Sequence, residues 1–174
     1  MFKVKYRVAK EGMHFPGDMG YYQMFYNENV YGETIYSEDI EDIMGTEHLY
    51  IWFEAIIQIA LDLHSKTYVA LNDFESPKHW LEFKKNNDDL NIRVVLADKP
   101  NGTLNVAYEL KNKTYETFEF GNTKISFKDF KKELIEACTL YIKDIVRLEQ
   151  NEYGKEQIVA LRQKLDQLLH MKLL

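Results

Sequence analysis

The stretch that most constrains the fold is residues 47–64. Nearly every position from Leu49 to Leu63 is apolar, and the polar residues Glu54, Gln58 and Asp62 recur four apart as one narrow stripe. A helix that is apolar almost all round must be covered on more than one side. The chain is therefore expected to hold a central helix between a sheet and a further layer. Thr46 sets up the helix start, with Glu47 placing a carboxylate in the first turn.

The rest of the chain supplies those layers. Residues 2–8 alternate strictly, with Phe2, Val4, Tyr6 and Val8 on one side and Lys3, Lys5 and Arg7 on the other, which predicts a half-buried strand. Pro16, Gly17 and Gly20 mark a loop. Residues 21–36 are rich in aromatics and read as two extended pieces around a bend at Gly32. Residues 37–45 are a helical turn or a loop. A strand is expected at 67–71, followed by a turn whose Pro77 biases its predecessor away from helix. Residues 80–85 and 90–97 read as a hairpin with a four-residue loop, Asn86-Asn87-Asp88-Asp89. Pro100-Asn101-Gly102 is a turn, and 104–110 and 114–120 are strands on either side of Lys111-Asn112-Lys113.

From Ser126 the period becomes helical. Ser126 with Asp129 resembles a capping box, and Phe127, Phe130, Leu134, Ala137, Tyr141, Ile145 and Leu148 share one face. Gly154 interrupts, and Ile158, Leu161, Leu165 and Leu168 form a second stripe. This spacing predicts a helical hairpin, with one long bent helix as the alternative. The expected class is α+β: an antiparallel sheet of about seven strands, one buried helix and a C-terminal helical hairpin. A chain of 174 residues suits a single domain, 1–174, with 1–125 mainly sheet plus the central helix 47–64 and 126–174 the helical hairpin.

The formal net charge of -6 hides a strong asymmetry. Residues 1–10 carry four bases and no acid; residues 11–65 carry eleven acids and no lysine or arginine; the remainder is close to balance. Such a block gives a local negative potential that steers cationic partners. Two alternatives stay open: neutralisation by Lys3, Lys5 and Arg7 in the fold, or a merely solvated surface. Tyr21, Tyr22, Phe25, Tyr26, Tyr31 and Tyr36 lie beside these acids, and tyrosine suits both strands and interfaces. The negative field argues against direct nucleic-acid binding. No run reaches the length of a membrane span, and no leader is visible, so a cytoplasmic location is expected.

Catalytic patterns are sparse. The sequence lacks a phosphate-binding glycine loop, a GxSxG elbow and HExxH, and its five histidines are scattered. Cys138 sits in a helical apolar stripe and reads as a buried structural thiol. The carboxylates at 38–48 are the best enzyme candidate, as a metal-dependent hydrolase, although the calcium-loop spacing is absent. Otherwise no cofactor or metal is expected.

The runs Tyr50-Ile51-Trp52-Phe53-Glu54, Ala70-Leu71-Asn72-Asp73-Phe74-Glu75-Ser76 and Trp80-Leu81-Glu82-Phe83-Lys84 resemble immunity proteins of bacterial polymorphic or contact-dependent toxin systems. The resemblance covers residues 33–97 and rests mostly on core and turn residues. It implies a small cytoplasmic inhibitor of a cognate toxin domain, frequently a basic nuclease; contact residues vary between partners, so none is carried over. With the charge block, the expected function is a non-catalytic, toxin-neutralising protein that occludes a basic toxin domain. The expected contact residues are Glu33, Tyr36, Glu38, Asp39, Glu41, Asp42 and Glu47. The chain is expected to be a monomer or weak dimer; a structural protein dimerising through its C-terminal helices is the remaining alternative.

Overall fold

The computed structural model describes residues 1–32, 47–74, 76–99, 105–115 and 123–171. Strand β1 (Phe2–Val8) forms as its alternation requires, burying Phe2 and Val4 and exposing Lys3 and Lys5. It pairs antiparallel with β2 (Gly20–Tyr26), which pairs with β3 (Asn29–Tyr31). Gly32 does adopt a positive φ of 103°, but the chain reverses earlier, at Asn27-Glu28, where Asn27 has φ 54°. Asparagine tolerates this left-handed conformation, which a tight two-residue hairpin needs.

The second sheet contains β4 (Tyr68–Asn72), β5 (His79–Asn86), β6 (Asp89–Leu96), β7 (Val106–Ala107), β8 (Thr114–Tyr115) and β9 (Thr123–Ser126). Its order is β7-β4-β5-β6-β8, with β9 also on β6, and every pairing is antiparallel. The expected four-residue loop at 86–89 is corrected to two residues. The ladder runs on to Asn86 opposite Asp89, and Asn87 (φ 55°) makes the tight turn. The described parts of the strands expected at 104–110 and 114–120 are not neighbours. β7 lies on β4 and β8 on β6, at opposite sides of the sheet. Between them Leu110 packs on Ala70, Trp80, Val95 and Ala97, so this connection covers the sheet's outer face.

Helix α1 (Leu49–Asp62) packs on β2, β4, α2 (Phe127–Val146) and α3 (Glu152–His170), the many-sided cover its sequence demanded. Its expected start is corrected. Thr46 lies outside the described residues, His48 is the N-cap, and the first turn holds no acid. Glu47 exchanges backbone hydrogen bonds with Gly20 (2.7 and 2.9 Å), which holds it in an extended bridge outside the helix. Ser126 caps α2 by accepting from the Asp129 N–H. Lys131, early in α2, donates to the Met171 carbonyl just past α3, so the two helices run antiparallel. The break expected at Gly154 falls instead at residues 147–151. Gly154 lies in the first turn of α3, where a Cβ would stand 2.9 Å from the Phe15 Cβ; its role is close packing. One apolar core draws on both sheets and all three helices. Among the described residues no helix is long and apolar enough to cross a membrane.

Candidate functional site

Of the expected contact residues, Glu33, Tyr36, Glu38, Asp39, Glu41 and Asp42 lie outside the described residues. Glu47 is described, and it is 9% exposed. Residues 33–46 are flanked by Gly32 and Glu47, which are described. Both flanks are held on the same edge of β2: Tyr31 pairs with Met24, and Glu47 bridges Gly20. Those β2 positions are about 13 Å apart at strand rise.

An aromatic and acidic cluster stands at this edge. Tyr22, projecting from β2, stacks on Trp52 of α1 with centroids 4.0 Å apart and planes at 21°. The Tyr31 hydroxyl donates to Asp73 Oδ2 at 2.9 Å. Burial raises both phenols well above their ordinary pKa. For Tyr22 the next causes are Tyr31 and the charges of Glu47 and Asp73; for Tyr31 they are the charge and hydrogen bond of Asp73. Both hydroxyls are therefore neutral near pH 7. Tyr22, Glu47, His48, Trp52, Asp73 and Phe74 enclose a cavity of about 20 Å³, room for roughly one water. Trp52 Nε1 is buried with no acceptor among the described residues, and Phe74 is 43% exposed at the rim. Trp52 had read as plain core and Asp73 as a plain turn residue. The Tyr31–Asp73 bond spans 42 positions, and no local pattern announces it.

Three other described acids of the block, Asp18, Glu54 and Asp62, serve the fold. Asp18 is buried and accepts from the backbone N–H of Met13 and His14. Glu54 pairs with Lys164 at 2.7 Å, and Asp62 meets Lys66 at 3.5 Å and accepts from Tyr108 at 2.8 Å. Glu11 and Glu28 are exposed. None of these described acids forms an ion pair with Lys3, Lys5 or Arg7: Lys3 pairs with Glu133 of α2, and Lys5 lies over the Phe25 ring.

A different carboxylate environment occupies the outer face of the second sheet. Glu82, 0% exposed, is paired with Lys113, with Arg93 at 3.0 Å and with Lys84 at 3.2 Å. Burial by itself would raise its pKa, but hydrogen bonds from Lys113 and Arg93 outweigh that and hold it below its ordinary value. Arg93 in turn lies 3.7 Å from the Tyr115 ring centroid. The alternation of β5 places Glu82 opposite the inward Leu81 and Phe83. Lys113, from the chain crossing that face, joins Lys84 and Arg93 in covering this outward residue.

Cys138 is fully buried, and burial pushes its thiol up to about 12, the structural role its helical position suggested. Among the described residues no group of three or more His, Cys, Asp or Glu side chains could hold a metal ion. Comparison with protein-family models, curated proteins and solved structures gave no match.

Proposed function

We propose that the chain is a non-catalytic inhibitor of the immunity kind, which docks a basic toxin domain, in particular a nuclease, at the acidic end around Glu47. One observation supports this reading above others. Residues 33–46 carry Glu33, Glu38, Asp39, Glu41 and Asp42 and no lysine or arginine, and their flanks are tied to one β2 edge beside Glu47 and Asp73. The β2 positions that hold the flanks are about 13 Å apart at strand rise. Tyr36 and Phe74 would supply apolar contact, and the acids would meet the lysines and arginines with which a nuclease holds phosphate. The exposed Phe74 rim gives that contact a packed neighbour in the fold.

The test uses the gene immediately upstream, expected to encode a large secreted protein with a variable C-terminal domain. That domain, purified, is mixed with the wild-type chain and with a variant carrying Glu38→Lys, Asp39→Lys, Glu41→Lys and Asp42→Lys. The wild-type association rate should fall steeply with salt, and the variant should associate about tenfold more slowly or worse, with a flattened salt dependence. Equal rates would contradict the reading.

A further inference from the structure

A second surface lies on the far edge of the three-stranded sheet, across β2 from Glu47. Among the described residues β1 pairs with β2 alone. In an antiparallel ladder, alternate residues turn their backbone groups inward and outward. Two bonds fix the phase here. The Val4 N–H donates outward, to Glu133 Oε1 at 2.9 Å, whereas the Ala9 N–H donates inward, to the Met19 carbonyl at 3.0 Å. Val4, Tyr6 and Val8 therefore share the outer edge, and Lys5 and Arg7 face β2 with their backbones.

Glu133 closes one end of this edge, its other oxygen held by Lys3 at 2.7 Å. Past it, the backbone of Tyr6 and Val8 opens on a groove of about 600 Å³ between β1 and the end of α2. Leu148 and Val8 give the groove an apolar wall, and Lys5, Arg7 and Lys10 give it a basic rim. The acid in the groove, Asp144, is engaged by the Tyr6 hydroxyl at 2.7 Å and by Arg147 at 3.6 Å.

We infer that this edge accepts an extended acidic segment of a partner protein as an added β-strand. The segment's backbone would pair with Tyr6 and Val8. Its alternate side chains would separate, acids toward Lys5 and Arg7, apolar residues toward Val8 and Leu148. The charge pattern selects this occupant over a second copy of the chain. Two β1 strands paired with each other would set Lys5 and Arg7 against like charges on one face, which is unfavourable. Edge lysines are a common bar to self-pairing, and here they are also the complement of an acidic strand. Nothing in this surface depends on the acidic end, so the two can fail separately.

The probes are a short blocked peptide alternating glutamate and valine and its lysine–valine counterpart, titrated against the full chain by amide NMR. The acidic peptide should bind roughly tenfold tighter than the basic one, with the largest shifts at the Tyr6 and Val8 amides. Val8→Pro removes an outward N–H and leaves the ladder to β2 intact, since proline is tolerated on sheet edges. It should weaken binding by about tenfold. Lys5→Glu with Arg7→Glu should reverse the preference toward the lysine peptide, and decides the matter if Val8→Pro does not fold. Equal binding of both peptides, no binding of the acidic peptide, shifts away from β1, or unchanged affinity in folded Val8→Pro would each overturn the assignment. A dimer in sedimentation that Val8→Pro abolishes would give the edge to a second copy and also overturn it.

Discussion

Glu82 and Glu47 are both glutamates withdrawn from solvent, one fully and one at 9% exposure, yet their surroundings differ in kind. Glu82 sits on the outer face of a sheet between three cations, under a connection that crosses that face. Glu47 sits at a sheet edge with Tyr22, Trp52, Asp73 and Phe74 about the same small cavity. In the first region the cations outnumber the carboxylate and their interactions turn inward. In the second, two carboxylates share an aromatic setting, and Glu47 adjoins a run that carries further acids and no lysine or arginine. The contrast teaches that a buried carboxylate by itself does not mark a binding site. The composition of its shell decides how its charge is engaged, by three cations at Glu82 and among aromatic rings at Glu47.

The largest expected effect lies at Glu82. Glu82→Ala should cost about 3 kcal/mol in urea unfolding, because it strands cations gathered around one acceptor. A loss as small as that of an exposed pair would erase the distinction between the regions. The same residue gives a pH signature. Its folded pKa lies below the ordinary 4.5, so its contribution is present above that value and is lost as pH falls through the folded pKa. Glu82→Gln should flatten the acid limb of the stability profile, and an unchanged limb would mean the pairs do not act as a network.

Lys113→Ala removes one of the three partners and should cost about 1.5 kcal/mol, since Arg93 and Lys84 still serve the carboxylate. Smaller again, Tyr31→Phe should cost about 1 kcal/mol by deleting the hydroxyl bond to Asp73. If Tyr31→Phe proved the more damaging of the two, the acidic end would be the structural hub and the comparison would invert. As a control outside both regions, Cys138 should react with a thiol reagent only at the rate of global unfolding, given its burial.

Much of the fold was legible in the residues because period and burial coincide. The stripe Ile158, Leu161, Leu165 and Leu168 is buried in α3, and the alternation of residues 2–8 is that of β1. Errors cluster where the chain changes direction. Asn27 and Asn87 make two-residue turns by adopting positive φ, a conformational choice that composition suggests only weakly. Gly154 read as a helix breaker because local propensity says so, whereas tertiary packing against Phe15 uses its missing side chain inside a helix. Glu47 read as a first-turn acid because the bridge to Gly20, far back in the chain, cannot be seen locally. The candidate site was less legible than the fold. The acid-rich run is plain in the sequence, but Asp73 joins Glu47 and Trp52 only through long-range packing.

The most direct measurement is an amide hydrogen-exchange footprint of the chain bound to the domain encoded upstream. Protection should concentrate in residues 33–47 and around Phe74, with the crossing connection at 108–113 unchanged. Protection confined to the face around Glu82, with residues 33–47 exchanging as in the free chain, would contradict docking at the acidic end.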